Sequence, residues 1–388
     1  MELTKCKLGE LITKRREKND GSDLPICGVS KDGLIPPKQK DADTSIYNVF
    51  YRDDFIFNPA RMELNSIAIN DMYDRAICSS LYEVFYVHRT DLLLPHYLKL
   101  IIRQKWFTRY CEFLGQGSAR EYCRFSNISE IEIEFPTIEE QQKIVDYTTT
   151  IENRIALKQK INDNLEATVQ AIFKSVFIDY EGVEYSDYLE FEFGKYPATW
   201  NLVDLDTVVD VRDGTHDSPS PTESGRYLIT SRHLLPYAID RSDAYFISEA
   251  DFKKANERSK VEYGDILFSM IGTIGIISFI TDKEVDFAIK NVGLFRTSQN
   301  PAIRYFILSY LKSKIVENYI SSYMAGSTQS YVSLNVLRKI PLILPPEDVL
   351  QHFENQVTPL YAKMIEDTYE IANLKDLKDV ITTSMSSY

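Results

Sequence analysis

The chain contains an internal duplication, which limits its possible folds more than any other feature of the sequence. Residues 117–173 align with residues 326–382 at a constant offset of 209 residues and without a gap, so that Gly117 matches Gly326. A repeating unit of about 200 residues is too long for a solenoid repeat. The sequence therefore predicts a duplicated globular domain.

The match between the two copies weakens towards their N-terminal ends. It extends back to Tyr97 and Phe306, and before them only short patterns agree, such as YRDDFIF (51–57) and VEYGDILFS (261–269). We expect a shared scaffold in the matching parts. Different chemistry is expected in the diverged parts and in the glycine-containing loops 114–121 and 324–330.

Within each copy the period of the apolar residues changes from two residues, which is typical of a strand, to about 3.5 residues, which is typical of a paired helix. IEIEF (131–135) and IPLIL (340–344) predict strands that end at prolines. The heptad pattern that follows each strand predicts two long helices with an apolar seam. The predicted seam residues are Ile144, Ile151, Ile155, Leu165 and Ile172 in the first helix, and Phe353, Leu360, Met364, Ile371, Leu374 and Ile381 in the second.

Polar residues interrupt both seams. Lys158 and Asn162 in the first helix and Asp367 in the second should weaken the pairing but fix its register and orientation. Pro359 lies inside the second helix, and proline lacks the N–H that a helix interior needs. The second helix is therefore expected to kink or to start late.

The net charge of −13, taken alone, argues against nucleic-acid binding. Its distribution changes this conclusion, because residues 1–135 and 201–345 each carry a net charge of only −1. Residues 136–200 and 346–388 carry −6 and −5, so most of the acidic excess lies in and around the predicted helices. Nearly neutral globular segments can still present basic loops to phosphates.

Motifs for the common enzyme classes are missing from the sequence. FLGQG (113–117) superficially resembles a glycine loop for S-adenosylmethionine, but the second copy has only MAG and no N/D-P-P-Y/F tetrapeptide occurs. There is no phosphate-binding P-loop, and the five histidines have no metal-ligand spacing. The five cysteines have no C-x-x-C spacing, and no export signal or membrane span is apparent, which predicts a cytoplasmic protein.

Three further segments resemble a known family. PTIEEQQKIV (136–145), NLEATVQAIFKSVFIDYE (164–181) and YPATWNLVDLDTVVDVRDGTHDSP (196–219) closely resemble the specificity (S) subunit of type I restriction-modification systems. The resemblance covers essentially the whole chain. It departs from the family pattern at Val176, where a tryptophan is more usual, and in the second helix, PPEDVLQHFENQVTPLY.

The resemblance implies an α+β fold with two target recognition domains, each followed by a long helix, and with the two helices paired as an antiparallel coiled coil. The expected boundaries are 1–137 and 181–345 for the recognition domains, including the linker, and 138–180 and 346–388 for the helices. The implied partners are double-stranded DNA, methyltransferase subunits and, where present, restriction subunits. No cofactor is expected on this chain, because S-adenosylmethionine, ATP and Mg²⁺ belong to the partner subunits.

The candidate DNA contacts fall into two groups. Basic side chains suited to phosphates are Lys14, Arg15, Arg16, Lys18, Lys31, Lys38 and Arg61 in the first copy, and Arg212, Arg226 and Arg232 in the second. Candidates for closer or base-edge contacts lie in the glycine loops and in DGTHDSP and TSRH: Gln116, Gly117, Ser118, Arg120, His216, Ser218, Arg232, Gly326, Ser327, Thr328 and Gln329.

Alternatives remain open at this level. Each basic residue can instead belong to a solvated face, and His216 can pair with Asp213 or Asp217 to hold a turn. A coiled-coil scaffold without DNA readout accounts for the helices but not for two large globular segments. A stand-alone DNA methyltransferase is the weakest alternative, since the catalytic tetrapeptide is missing.

Overall fold

A computed structural model describes residues 3–31, 33–37, 43–115, 122–182, 187–325 and 331–385. Contacts divide the chain into two compact units. Unit 1 comprises Met1–Ile155 and Asn373–Tyr388, and unit 2 comprises Ala156–Ala372. The domain boundaries expected from the sequence remain predictions. None of the described helices is both long enough and apolar enough to cross a membrane.

Unit 1 is built from short strands followed by helices. Its strands are β1 (Thr4–Lys7), β2 (Ile12–Arg15), β3 (Ile26–Ser30), β4 (Gly33–Ile35), β5 (Asn48–Tyr51), β6 (Phe55–Phe57), β7 (Ile67–Ile69), β8 (Arg75–Cys78), β9 (Glu83–Val87) and β10 (Glu132–Phe135). Its helices are α1 (Pro95–Ile102), α2 (Lys105–Gly115), α3 (Phe125–Ser129) and the first part of α4 (Ile138–Phe177). The strands form sheets in the orders β2-β9-β6-β7, β4-β3-β8-β5 and β1-β10.

Unit 2 uses the same kinds of element. Its strands are β11 (Tyr188–Phe191), β12 (Gly194–Pro197), β13 (Asn201–Asp204), β14 (Val211–Asp213), β15 (Arg226–Ile229), β16 (Leu234–Leu235), β17 (Ala238–Ile239), β18 (Phe246–Ile247), β19 (Ile266–Ser269), β20 (Ile277–Phe279), β21 (Phe287–Ile289), β22 (Val292–Phe295) and β23 (Pro341–Leu344). Its helices are α5 (Glu249–Ser259), α6 (Arg304–Leu311), α7 (Lys314–Ala325), α8 (Leu334–Arg338) and most of α9 (Glu347–Ser384).

The duplication includes the parts where the sequences diverge. The sheet order β14-β22-β19-β20 in unit 2 repeats β2-β9-β6-β7 in unit 1. The parallel pair β15 and β21 likewise repeats β3 and β8. Equivalent elements are 197 residues apart at β1 and β13 but 209 apart from α1 and α6 onward, so unit 2 is longer between these points. This change of offset explains why the alignment of the sequences fades upstream.

The inward faces of these strands are apolar and fully buried. In unit 1 the rings of Phe55 and Phe85 stack with centroids 5.0 Å apart, and both side chains are completely inaccessible. In unit 2 Phe268 and Phe295 pack edge to face at 6.4 Å. Because each side chain of this size contributes about 1.5–3 kcal/mol on burial, each unit has its own stable core.

The predicted strands and helices are confirmed at the junction between sheet and helix. IEIEF contains β10 and IPLIL contains β23, and each strand is followed by proline and then by a long helix. Both helices have acidic residues in the first turn, which interact favourably with the helix dipole.

Of the two outcomes expected for the second helix, a kink or a late start, the late start is wrong. Helix α9 begins at Glu347 and continues through Pro359. Phe353 and Val357, which precede the proline, are fully buried. Their burial offsets the cost of about 3 kcal/mol that an interior proline imposes, and the helix therefore forms on both sides of it.

The two long helices run antiparallel within unit 2. Lys158 of α4 contacts Asp367 of α9 at 2.5 Å, and farther along α4 Phe173 packs against Phe353, which lies earlier in α9. Asp367 is fully buried, and Lys363 lies 3.0 Å from it as well. The polar pair thus lies in mid-seam, as the heptad pattern predicts. Lys158 and Asp367 are 209 residues apart, so they are equivalent positions of the duplication.

The seam in unit 1 involves the other ends of the same helices. Lys378 of α9 forms an ion pair with Glu152 of α4 at 2.6 Å, and Ile151 is buried. Every predicted seam residue is buried or half-buried. The buried ones are Ile151, Phe353 and Met364, and the half-buried ones are Ile144, Ile155, Leu165, Ile172, Leu360, Ile371, Leu374 and Ile381.

Candidate nucleic-acid interface

In unit 1, four chain segments meet at one edge of the sheet β2-β9-β6-β7. Because neighbouring strands are antiparallel, β2 and β6 end at this edge while β7 and β9 begin there. The segment after β2 carries Arg16 and Lys18, the segment after β6 carries Arg61, and the turn before β9 is residues 79–82. We call this region, together with residues 122–124, edge 1.

Residues 122–124 reach edge 1 through a backbone contact. The N–H of Cys123 donates to the carbonyl of Pro59 at 3.0 Å, and Tyr122 and Arg124 flank this contact. These residues follow the first glycine loop directly. The chain therefore leaves that loop at the same edge to which the basic segments belong.

Two adjoining depressions form the surface of edge 1. Leu81, Tyr82 and Tyr122 line both of them. The smaller depression, of about 580 Å³, is also lined by Lys14, Arg15, Arg16, Lys18 and Arg124. The larger, of about 1090 Å³, is also lined by Lys31 and Arg61. Residues that are distant in the sequence thus form one surface on which aromatic and basic side chains lie together.

Four cations on this surface have no acidic partner among the described residues. Arg16, Lys31, Arg61 and Arg124 are exposed, and none forms an ion pair with a carboxylate in the described ranges. Lys14, by contrast, lies 3.0 Å from Glu83. Lys18 donates to the carbonyl of Ile46 and to the side chain of Asn48. Unpaired cations around a shallow depression are suited to bind phosphates.

Arg15 is held inside unit 1. Its guanidinium donates two hydrogen bonds to Asp54, at 2.5 and 2.9 Å, and lies over the rings of Tyr51 and Tyr86. Asp54 is buried, and burial raises the pKa of its carboxyl. This environment favours a structural role for Arg15. Its predicted contact with phosphate remains untested.

Unit 2 has an equivalent edge, formed by the ends of β14 and β19 and the starts of β20 and β22. The N–H of Val332 donates to the carbonyl of Met270 at 2.9 Å, which repeats the contact of Cys123 with Pro59. We call this region edge 2. It includes residues 213–218 after β14, residues 270–276 after β19 and the turn formed by Lys290 and Asn291.

The glycine in DGTHDSP allows the chain to pass over its neighbour at edge 2. A Cβ on Gly214 would lie 2.3 Å from the carbonyl oxygen of Ile289, closer than any side chain tolerates. The backbones of Gly214 and Thr215 donate to Val292 and Ile289 respectively, each at 2.9 Å. The loop that carries His216 is therefore fixed against the adjacent turn.

His216 is anchored by both ring nitrogens. Nε2 lies 3.0 Å from the carboxylate of Asp213, and Nδ1 lies 2.9 Å from the side-chain oxygen of Asn291. Asp213 is almost fully buried and also pairs with Arg258. The turn-holding pair that the sequence left open is thus present. About two thirds of the His216 side chain (65%) is nevertheless exposed and accessible to a ligand.

Two lysines add positive charge to edge 2. Lys254 of α5 lies 2.9 Å from Asp217, and Lys290 donates to the hydroxyl of Ser218 at 2.5 Å. Lys254 lowers the pKa of Asp217 by hydrogen bonding to it. These lysines are 37 and 72 residues from their partners in the sequence, which is why local sequence patterns did not identify them.

The three arginines predicted to contact phosphates in the second copy all have acidic partners. Arg212 donates to Asp210, Arg226 to Glu249, and Arg232 lies 3.4 Å from Asp243. Arg226 lies on β15 and Arg232 just after it, so neither belongs to the sheet that forms edge 2. Only Arg212 of the three lies beside this edge.

Comparison with known proteins identifies the family. The family model described as "Type I restriction modification DNA specificity domain" matches residues 2–167 and 197–356, one match for each copy of the duplication. The chain belongs to this family. It is therefore a type I specificity subunit and not a catalytic subunit of such a system.

Individual relatives agree with the family match. The MjaIX specificity subunit of Methanocaldococcus jannaschii is 27% identical over 311 residues, which cover 75% of this chain and 68% of the relative. The HindI specificity subunit of Haemophilus influenzae is 22% identical over 357 residues, with 75% and 76% covered. The S subunit crystal structure from M. genitalium has the same fold, with a TM-score of 0.60, 14% identity and coverage of 99% and 96%.

Some predicted contacts of this specificity subunit lie outside the described residues. They comprise Lys38 and the candidates in both glycine loops: Gln116, Gly117, Ser118, Arg120, Gly326, Ser327, Thr328 and Gln329. Their involvement in DNA binding remains a prediction. The described residues on either side of the undescribed part of the first loop are Gly115 and Tyr122.

Sequence reasoning missed several residues that share these edges. They are Leu81, Tyr82, Tyr122 and Arg124 at edge 1, and Lys254, Arg258, Lys290 and Asn291 at edge 2. Of these residues, only Tyr122 could have been found from the sequence, because it matches Tyr331 in the aligned segments 117–173 and 326–382. The other residues reach the edges through strand pairing, which local patterns do not encode.

Proposed function

We propose that edge 1 and edge 2 are the DNA-binding faces of this specificity subunit, each reading one half of a bipartite duplex target. The observation that supports this proposal is the convergence of separate chain segments on one sheet edge, at the same place in both units. Basic segments, a short turn and the residues after a glycine loop meet at edge 1, and edge 2 repeats this arrangement with different side chains.

The chemistry of the two edges suits different base sequences. At edge 1 tyrosines and a leucine share a surface with arginines, whereas edge 2 presents a histidine, an asparagine and a lysine. Apolar groups contact the methyl group of thymine, and amide or cationic groups bond to purine edges. Two equivalent edges with unlike side chains are therefore expected to read an asymmetric target.

The chain is proposed to recruit its catalytic partners. The relatives are named as specificity subunits of type I restriction enzymes, and on that basis we expect methyltransferase subunits, and restriction subunits where the system has them, to bind this chain. S-Adenosylmethionine, ATP and Mg²⁺ are then expected on those partners. All five cysteines are free thiols, which fits the cytoplasmic location predicted from the sequence.

Adenine methylation mapped across the genome, with and without the gene, tests the function directly. We expect a two-part motif that disappears when the gene is deleted. In vitro, the chain together with its methyltransferase subunits should bind and methylate that motif. Methylation by the purified chain alone would contradict the assignment, and so would an assembled complex that binds no duplex.

Single substitutions then test the location of the DNA-binding face. Arg16→Ala at edge 1 should weaken binding of the assembled complex to its target. Arg89→Ala is the matched control, because this exposed arginine follows the opposite end of β9 and pairs with Asp91. Equal losses in the two variants would show that edge 1 is not the binding face.

A domain exchange tests the assignment of half-sites. Replacing residues 201–345 by the corresponding region of a relative should change one half of the methylated motif and leave the other unchanged. The methylation map of cells that carry the chimera measures this. A change in both halves would contradict the model of one reader in each unit.

A further inference from the structure

The turns that precede β9 and β22 differ in length and in chemistry. Leu81 lies in the four-residue turn between β8 and β9, and Lys290 lies in the two-residue turn between β21 and β22. Each turn lies in the middle of its edge, beside the segment that follows β2 or β14. The turn of unit 1 thus presents an apolar side chain, and the turn of unit 2 presents a cationic one.

The turn of unit 1 is rigidly braced. The N–H of Tyr82 donates to the carbonyl of Ser79 at 3.0 Å, which closes the turn. The side chain of Asn48 donates to the carbonyl of Tyr82 at 2.7 Å, and Lys18 in turn donates to Asn48 at 2.7 Å. The direction in which the turn presents its tip is therefore set before any ligand binds.

Leu81, at the tip of this turn, is 79% exposed. Single exposed apolar side chains are common on protein surfaces and need no explanation by themselves. This one differs in its place, because it lines both depressions of edge 1 together with Arg16, Arg61 and Arg124, which have no carboxylate partner among the described residues. A rigid apolar tip amid cations is suited to enter a groove whose walls are phosphates.

We propose that Leu81 is a specificity-determining residue that contacts the 5-methyl group of a thymine in the major groove of the half-site read by unit 1. This inference rests on the proposed function of edge 1. The methyl group is the apolar feature that distinguishes thymine in that groove, and leucine offers no hydrogen bond to any other base edge. The braced turn keeps the entropy cost of the contact low.

Lys290 provides the contrast in unit 2. Its ammonium group donates to Ser218 at 2.5 Å and can donate further hydrogen bonds. A lysine at this position is suited to the O6 and N7 acceptors of guanine and not to a methyl group. The corresponding turns of the two units thus carry different base preferences.

Replacing thymine by deoxyuridine removes the methyl group and changes nothing else in the base pair. We would assemble the full chain with its methyltransferase subunits and measure binding to duplexes that carry the mapped target with one such replacement at a time. For the unaltered protein, one position in one half-site should lose about four-fold in affinity, the effect of one buried methyl-sized group.

The Leu81→Ala variant should bind the unaltered target about ten-fold less tightly and should be insensitive to deoxyuridine at that position. Two variants serve as controls. Lys290→Ala should keep the full response at that position, and Leu157→Ala tests a leucine of similar exposure (59%) on α4. Because Leu81 is mostly exposed, its replacement should leave the fold intact.

Three results would overturn the inference while leaving the proposed function standing. One is a target in which the half-site affected by Leu81→Ala contains no thymine on either strand. Another is a Leu81→Ala variant with the same deoxyuridine response as the unaltered protein. The third is a Leu81→Ala variant that loses affinity equally for every DNA sequence, which is the result expected if Leu81 inserts between stacked bases. An assembled complex that binds no target would instead overturn both proposals.

Discussion

The two sheet edges share a backbone plan but differ in how their charges are balanced. At edge 1 the exposed arginines Arg16 and Arg61 have no acidic partner in the described part of the chain. Around edge 2 most of the named cations pair with carboxylates, as with Arg212 and Asp210 or Lys254 and Asp217, whereas Lys290 donates to the hydroxyl of Ser218. The scaffold is therefore independent of the charges that it carries, and each copy was free to develop its own surface.

This difference predicts separate consequences of removing charge in the two units. In unit 1 the unpaired cations should contribute to DNA binding but little to stability. In unit 2 charged groups are part of the folded structure, as the buried seam pair and the buried carboxyl of Glu354 show. The experiments below test this division.

The largest effect is expected at the buried seam pair of unit 2. Lys158→Ala leaves Asp367, which is fully inaccessible, with only Lys363 as a partner, and should lower the free energy of unfolding by about 3 kcal/mol. In unit 1, Glu152→Ala disrupts a half-exposed pair with Lys378 and should cost less than about 1 kcal/mol. Denaturant titration of both variants measures the two values.

A double substitution should show whether the loss of stability comes from leaving a buried charge unpaired or from lost packing in the seam. Replacing Lys158 and Asp367 together by leucine removes both charges and keeps apolar volume in the seam. Such replacements are often neutral or stabilising. A double variant as unstable as Lys158→Ala would mean that the charges are not responsible for the loss.

The next largest effect is a dependence of stability on pH, and it concerns the hydrogen bonds at the N-terminal ends of α1 and α6. In unit 1 the side chain of Gln141 accepts a hydrogen bond from the N–H of Leu94, just before α1. In unit 2 Glu354 accepts one from the N–H of Phe306 in α6, and burial raises the pKa of Glu354 to about 7. A neutral amide and an ionisable carboxyl thus serve the same task.

The folded state favours protonated Glu354, because its folded pKa lies above the usual value of 4.5. The stability of unit 2 should therefore fall as pH rises from about 5 to about 7, by roughly 2–3 kcal/mol. Glu354→Gln should remove this dependence, as measured by denaturant titration at several pH values. An unchanged pH profile in this variant would rule out Glu354 as the source.

The smallest effect in free energy is expected for DNA binding. A variant with alanine at Arg16, Lys31 and Arg61 should bind its target roughly ten-fold to a hundred-fold less tightly. The slope of log affinity against log salt should fall by about three, since each phosphate contact contributes about 0.9. Titrations of the assembled complex at several salt concentrations measure both quantities.

The matched variant in unit 2 carries alanine at Arg212, Arg226 and Arg232. Its salt slope should change less, because each of these guanidinium groups already has a carboxylate partner, and binding phosphate would replace one anion by another. Equal changes of slope in the two variants would show that the ion pairs of unit 2 open on DNA and that the two edges bind phosphates alike.

The long helices and the strands next to them could be predicted from the sequence. Heptad spacing and the change of period mark α4 and α9, since both are local patterns that one amphipathic face imposes. The mid-seam positions of Lys158 and Asp367 were also predicted from the heptad pattern, but their pairing was not. The continuation of α9 through Pro359 was not, because it depends on burial of Phe353 and Val357 in the core of unit 2.

The candidate interface was only partly accessible to sequence reasoning. His216 and its pairing with Asp213 followed from the short motif that contains both. The position of Leu81 did not, because a single leucine in a turn carries no signal until strand pairing places it among cations from other segments. Sheet edges collect residues from distant parts of the chain, and their composition becomes visible only with the register of the strands.

The contact between Lys158 and Asp367 also bears on the history of the chain. Because these residues are equivalent positions of the duplication, two identical copies would have brought a residue against its own duplicate at this point. A lysine facing a lysine, or an aspartate facing an aspartate, would repel in a buried seam. The ion pair therefore arose after the copies had begun to diverge, and it records the stage at which each half came to depend on the other half of the same chain.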